Sequence, residues 1–178
     1  MISKRLCCLL LTTAVLTFPA SARAEEPADP SVLVGTVTRE QIEAACPEWV
    51  RSEVSATPDA AAAQALAAVA PGAEVTVFLG TWCGDSLREV PRLWKALDAA
   101  GGSVPFHIRY VGVDRQKKEP AAEVSGHDIH FVPTLIVLRD GKELGRIIEQ
   151  PPHGVETDLL ALLNGQAHGV VSASQTPQ

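Results

Sequence analysis

The 178-residue sequence lacks an excess of positive charge, with 15 Lys and Arg against 21 Asp and Glu and a formal net charge of −6. A chain without a basic stripe neutralises few phosphates, so nucleic acid is excluded as an expected partner. Four cysteines are too few for a disulfide scaffold, and no pair has a zinc-site spacing. P-loop, dinucleotide, haem and Ser–His–Asp patterns are also missing, so the sequence predicts no bound cofactor.

Long hydrophobic runs are missing too, apart from residues 6–18 near the amino terminus. That run is shorter than the roughly 20 residues needed to span a bilayer. It follows Lys4 and Arg5 and precedes Ala-Arg-Ala at 22–24, a pattern typical of a secretory signal peptide over residues 1–24. We therefore expect an exported protein, periplasmic in a Gram-negative source and secreted otherwise, without membrane attachment after cleavage. The alternative is an uncleaved membrane anchor.

Residues 25–57 are predicted to form an N-terminal extension with short helices. Thr38 and Gln41 have the spacing of a capping box, which places a helix start at Arg39. Cys46 and Pro47 then interrupt this helix. The extension thus carries one of the two cysteines that remain after signal cleavage.

Residues 58–165 alternate between helix and strand patterns and are predicted to form one domain, followed by a flexible polar tail at 166–178. Buried strands are expected at 75–79, 106–113 and 131–138, and a return strand at 142–149 after an Asp-Gly turn. Helices are expected at 60–70, after residue 83, at 120–125 and at 155–163. This order predicts the α/β class, with a mixed sheet covered by helices on both faces.

The candidate reactive group is Cys83, which lies at a turn from a strand into a helix. Unpaired helical N–H groups and the helix dipole favour the thiolate at such a position. Asp85 opposes this effect unless solvent screens it. Ser86, one turn further on, can donate its hydroxyl to the sulfur. The alternative is a buried, inert cysteine.

Trp-Cys-Gly-Asp-Ser at 82–86 resembles the Trp-Cys-Gly-Pro-Cys motif of the thioredoxin superfamily, and the wording is similar to an exported bacterial subgroup. Pro91, Val-Pro-Thr at 132–134 and the hairpin that follows resemble further motifs of that family, in the same order. The resemblance covers roughly residues 58–163. It implies a thioredoxin-like fold and thiol–disulfide exchange on thiol- or disulfide-bearing proteins or small thiols.

The resemblance also implies roles for individual residues. Cys83 would be the attacking thiolate, and Trp82 would shield its sulfur and shape the docking surface. The substrate-binding loop would consist of Val132, a cis Pro133 and Thr134, with the Val132 backbone bonding an extended substrate strand. Electrons would come from another protein or a small thiol.

Two departures from the family pattern limit this assignment. Ser86 stands where the family has its second cysteine, and Val77 stands where it has a buried acid. An alcohol cannot resolve a mixed disulfide on Cys83, because resolution requires a thiolate. Three possibilities remain: an external thiol resolves it, Cys46 pairs with Cys83 as a resolving or structural partner, or the domain is a non-catalytic interaction module. The candidate catalytic residues are Cys83 and Ser86, together with Cys46 where it resolves the mixed disulfide.

The histidines give no strong metal pattern. His127 and His130 are separated by two residues, with Asp128 between them, but the coming strand argues against a shared helix face. With His153, they are predicted to be surface residues, and no metal site is expected.

Overall fold

The computed structural model describes residues 29–173, so the expected signal peptide and residues 174–178 lie outside the described residues. The helices are α1 (Arg39–Ala45), α2 (Pro47–Ser55), α3 (Ala60–Ala65), α4 (Gly84–Ala99), α5 (Ala121–Gly126) and α6 (Val155–Leu163). The strands are β1 (Gly35–Val37), β2 (Ala73–Leu79), β3 (His107–Gly112), β4 (Thr134–Arg139), β5 (Lys142–Ile148) and β6 (Gly169–Val171). A 3₁₀ turn, Leu66–Ala68, continues α3.

The six strands form one mixed sheet in the order β1-β3-β2-β4-β5-β6. β2 and β3 are parallel and connected through α4, whereas β4 runs antiparallel to β2 and to β5. β1 adds antiparallel to β3 at one edge, and β6 adds parallel to β5 at the other. This architecture confirms the predicted thioredoxin-like α/β fold.

Side chains alternate across the central strands because successive residues of a strand point to opposite faces. On β2, Val75 and Val77 join a large core beneath α1, α2, α4 and α6, whereas Phe78 joins a smaller core. Val124 of α5 packs in that smaller core on the other face, together with Ile136 of β4. The sheet is therefore covered by helices on both faces, as the sequence predicts.

The local start signals are largely confirmed. Thr38 accepts from the Gln41 N–H, and the Gln41 side chain accepts from the Thr38 N–H, which completes the predicted capping box of α1. α6 spans the predicted residues 155–163. The helix predicted over 60–70 is shorter: Asp59 caps its start through the Ala62 N–H, and the α-helix gives way to the 3₁₀ turn after Ala65.

The two edge strands differ from the sequence-based expectations. β1 was not predicted within the extension, and the prediction of a flexible tail over residues 166–178 is wrong for residues 169–171, which form β6. Three-residue strands take their stability from pairing with distant residues, which local patterns do not encode. Within residues 29–173, no helix is long and apolar enough to cross a membrane.

Candidate functional site

The half-buried Cys83 is the N-cap residue of α4, in extended conformation with φ −95° and ψ 127°. Its carbonyl accepts from Leu87 N–H at 2.9 Å, which starts the helical hydrogen-bond pattern. The thiol donates to the Val132 carbonyl oxygen across 3.1 Å. The sulfur thus lies at the amino end of a sixteen-residue helix and against the loop before β4.

The loop beside the sulfur contains a cis peptide bond between Val132 and Pro133, as the resemblance implied. Pro133 O accepts from Glu149 N–H at 2.8 Å, and the Thr134 hydroxyl donates to Phe131 O at 2.8 Å. The side chains of Val132 and Thr134 are buried. Residues 132–134 are thus all buried, and the carbonyls of Val132 and Pro133 are both hydrogen-bonded within the chain.

The indole of Trp82 is fixed to the segment that follows β3. Its Nε1 donates to Val113 O at 3.0 Å. Gly80 allows the ring to lie close to the backbone, because a Cβ there would lie 2.7 Å from Cε2 of Trp82. Arg115 and Lys117 lie over the ring, at 5.9 Å and 5.7 Å from its centroid.

Ser86 takes a different position from the expected one. Its side chain is fully buried, and Oγ accepts from the Gly80 N–H at 3.2 Å. Between residues 29 and 173, no hydrogen bond joins Ser86 to the Cys83 sulfur. The hydroxyl instead connects the end of β2 to the first turn of α4 and so positions the loop that carries Trp82 and Cys83.

The carboxylate of Asp85 is paired. Arg88 Nη2 lies 2.7 Å from Asp85 Oδ1, one helical turn further along α4. A guanidinium in contact with this carboxylate offsets its negative charge at the first turn of α4.

Cys46 is buried and only 1% exposed. Its thiol donates to Ser31 O at 3.6 Å, and the Thr81 hydroxyl donates to the same oxygen at 2.5 Å. Burial, together with the negative charges of Glu48 and Asp29, raises the pKa of the Cys46 thiol above its usual value of 9.0. Cys46 belongs to the larger core, Cys83 packs against the smaller one, and both thiols are free.

Three residues of the site were not identified from the sequence. Thr81 binds the extension at two points, because its oxygen also accepts from Leu33 N–H at 3.2 Å. Arg115 and Lys117 lie in a short charged run of the sequence and contact Trp82. Thr81 could have been identified from the sequence, because it lies two residues before Cys83. The contacts of Arg115 and Lys117 with Trp82 could not, because they depend on the fold.

The histidine side chains of the described residues do not come together in a metal site. His130 and His153 are 70% and 72% exposed, and each pairs with a nearby aspartate. In the part of the chain that the structure describes, no group of three or more His, Cys, Asp or Glu side chains could hold a metal ion.

No protein-family model matches the chain, and no curated protein matches it. Among solved structures, a protein of unknown function from Pseudomonas aeruginosa is 17% identical and has a TM-score of 0.52, covering 68% of this chain and 84% of that one. Thioredoxin 2 from Pseudomonas aeruginosa PAO1, in its reduced form, is 18% identical with a TM-score of 0.38, covering 64% and 94%. An HIV epitope scaffold is 17% identical with a TM-score of 0.44, covering 67% and 75%. The first likeness shows a shared fold and nothing of the chemistry.

Proposed function

We propose that the protein carries out thiol–disulfide exchange through Cys83 in an exported compartment. The observation that carries this proposal is the position of the sulfur, at the N-cap of α4 and 3.1 Å from Val132 O. A negative charge that develops on the sulfur during the reaction lies at the positive end of the dipole of α4. Because Cys83 is only half-buried, a disulfide in solution can reach it.

The reaction consists of two exchanges. In the first, the Cys83 thiolate attacks one sulfur of a partner disulfide, a bond forms between these two sulfurs, and the partner's other sulfur leaves as a thiolate. In the second, an external thiolate attacks the partner's sulfur in the mixed disulfide. Cys83 leaves as a thiolate, and a new disulfide joins the partner to the external thiol. Electrons are conserved in each step, and no cofactor is needed.

The external thiol is favoured over the two resolving groups within the chain. Ser86 has no thiol and is committed to Gly80 N–H. Cys46 is buried in the other core, and its raised pKa keeps it protonated at neutral pH, where a thiol is a poor nucleophile. Cys46 therefore serves as a packing residue, and Cys83 acts alone.

The test combines mixed-disulfide formation with turnover. Purified wild type, Cys83→Ser and Cys46→Ser are treated with bis(2-hydroxyethyl) disulfide, which is neutral, and the adducts are located by mass spectrometry. Wild type and Cys46→Ser should each gain one adduct on Cys83, whereas Cys83→Ser should gain none. With excess mercaptoethanol as the external thiol, both reactive proteins should release the adduct repeatedly.

Two outcomes would contradict this proposal in different ways. A Cys83 that remains unmodified while the protein stays folded would leave only a non-catalytic interaction module. Loss of repeated release in Cys46→Ser, with the first adduct still formed, would assign resolution to Cys46. The localisation is tested by isolating mixed disulfides between Cys83 and partner proteins. They should be found in the exported compartment, and their absence there would contradict the proposed localisation.

A further inference from the structure

The loop from Asp114 to Glu119 turns its acidic groups toward its own backbone. The Asp114 carboxylate accepts from the N–H groups of Lys118 and Glu119 at 2.6 Å and 2.8 Å, and from Gln116 N–H at 3.3 Å. The Glu119 carboxylate accepts from Ala121 N–H at 2.9 Å. The acids of this loop are therefore used to hold its shape.

The Arg115 and Lys117 side chains of the same loop lie over the Trp82 ring instead. Arg115 and Lys117 both lie within 6 Å of the Trp82 centroid, a distance at which a cation is attracted to an aromatic face. Trp82 directly precedes Cys83 in the chain, so both cations contact the residue next to the reactive cysteine. The loop from Asp114 to Glu119 carries three cations and two carboxylates, on a chain with a net charge of −6.

A carboxylate of the chain itself already contacts one of these two cations, Arg115. Asp29 Oδ2 lies 3.3 Å from Arg115 Nη2, and both side chains are about half exposed. The other Asp29 oxygen accepts from the N–H and hydroxyl of Ser31. Asp29 thus shows that a carboxylate fits against Arg115 at the surface, and an exposed ion pair of this kind is weak enough to exchange.

We propose that Arg115, Lys117 and Trp82 form a recognition site for an acidic side chain near the reacting cysteine of a partner polypeptide. The proposal rests on the proposed function, since it selects the substrate of Cys83. Asp29 occupies part of the site in the free protein, and a partner carboxylate displaces it.

A polypeptide is favoured over a small thiol by the surface on the other side of the sulfur. Cys83 bonds Val132 O, and the preceding residue, Phe131, is 49% exposed. The segment that carries Trp82 with its two cations and the segment that carries the exposed Phe131 therefore meet at the sulfur. An extended polypeptide can contact both segments, with an acidic residue on one side of its cysteine.

The test uses three short peptides that differ only in charge beside a single cysteine, which is carried as a mixed disulfide with 2-thiopyridine. The neighbouring residues are two Asp, two Ser or two Lys. The Cys83 thiolate attacks the peptide sulfur, a Cys83–peptide disulfide forms, and 2-thiopyridone leaves after taking up a proton. Its absorbance gives the rate constant, and mass spectrometry confirms the modified cysteine.

The wild type should react with the acidic peptide roughly tenfold faster than with the basic one at low salt, and the difference should shrink at high salt because salt screens exposed charges. In Arg115→Gln/Lys117→Gln, this preference should vanish or reverse, each rate being taken relative to that of the neutral peptide with the same variant. Asp29→Asn should increase the preference, because it removes the competing carboxylate. Lys142→Gln, an exposed lysine at the far end of β4 and β5, removes one positive charge and should leave the preference unchanged.

The two hypotheses fail in distinguishable ways. If all three peptides react at equal rates, or if the double variant keeps the preference for the acidic peptide, the recognition site is overturned and the chemistry at Cys83 stands. If Lys142→Gln reduces the preference as much as the double variant does, net charge and not this site is responsible, which also overturns it. If no peptide modifies Cys83, the proposed function itself fails.

Discussion

Arg92 and Glu156 form a two-point ion pair that joins α4 to α6. Arg92 Nη2 lies 2.6 Å from Oε1 and Nε lies 2.8 Å from Oε2 of the fully buried Glu156. Oε1 also accepts from Asp59 N–H at 2.8 Å, at the start of α3. One carboxylate therefore fixes three helices against each other on the larger core.

Removing this charge should destabilise the protein. We expect Glu156→Gln to lower the free energy of unfolding by about 2 kcal/mol, because Arg92 then loses its buried partner but keeps some access to solvent. Glu143→Gln is the matched control, since Glu143 pairs with Arg146 at the surface and its loss should cost at most about 0.5 kcal/mol. Urea unfolding of both variants gives the comparison, and equal losses would contradict the assignment.

The same carboxylate should contribute to acid sensitivity. Burial raises the pKa of Glu156, but the hydrogen bonds from Arg92 and Asp59 N–H outweigh burial and hold the pKa below its usual 4.5. A lowered folded-state pKa stabilises the fold above the unfolded-state value and loses that effect as pH falls through the folded-state value. The stability difference between wild type and Glu156→Gln should therefore be constant near neutral pH and shrink below pH 4.5. If the stability difference between wild type and Glu156→Gln instead grows as the pH falls, the pKa of Glu156 is raised, not lowered, in the folded protein.

Ser86 should act on stability rather than on the sulfur. In Ser86→Ala the buried Gly80 N–H loses its acceptor, which should cost about 1–3 kcal/mol of unfolding free energy. The rate at which iodoacetamide alkylates Cys83 should not change, because Ser86 forms no hydrogen bond to the sulfur among the described residues. A large fall in that rate, with stability intact, would instead assign the hydroxyl to the thiolate.

Gly80 and Gly84 provide a matched pair on either side of Cys83. An added methyl at Gly80 collides with the indole of Trp82, so Gly80→Ala should cost about 1–3 kcal/mol. At Gly84, in the first turn of α4, the added methyl meets nothing within 4 Å, and the alanine should stabilise the helix by up to about 1 kcal/mol.

The source of the Gly80 cost can be checked with a second substitution. In a Trp82→Ala background the ring is absent, so Gly80→Ala should lose most of its cost in urea unfolding. If Gly80→Ala still lowers the free energy of unfolding by the same amount in this background, the strain lies in the backbone and not against the indole.

The capping box of α1, the hairpin after β4 and the span of α6 could be predicted because their signals are local. Thr38 and Gln41 bond each other three residues apart, and Asp140 and Gly141 both adopt positive φ in the turn that joins β4 to β5. Such signals act over a few residues and need no knowledge of the rest of the fold.

The missed features are formed by residues far apart in the chain. β6 pairs with β5 through Gly145 and Gly169, where a Cβ on Gly145 would lie 2.5 Å from the Gly169 carbonyl oxygen. In the site, Cys83 was correctly placed at the start of a helix, but the Ser86 contact with Gly80 was not foreseen. A hydroxyl can serve several neighbours, and the choice between them is made by packing.

The unequal division of the core has a consequence for motion. On the face that carries Trp82 and Cys83, the six-residue α5 is the described helix whose buried side chain, Val124, enters the smaller core. A region with few buried apolar contacts opens at a lower free energy than the whole molecule unfolds. Amide protons of α5 should exchange with solvent well before those of α4, so the smaller core, against which Cys83 packs, can open locally while the opposite half of the domain remains folded.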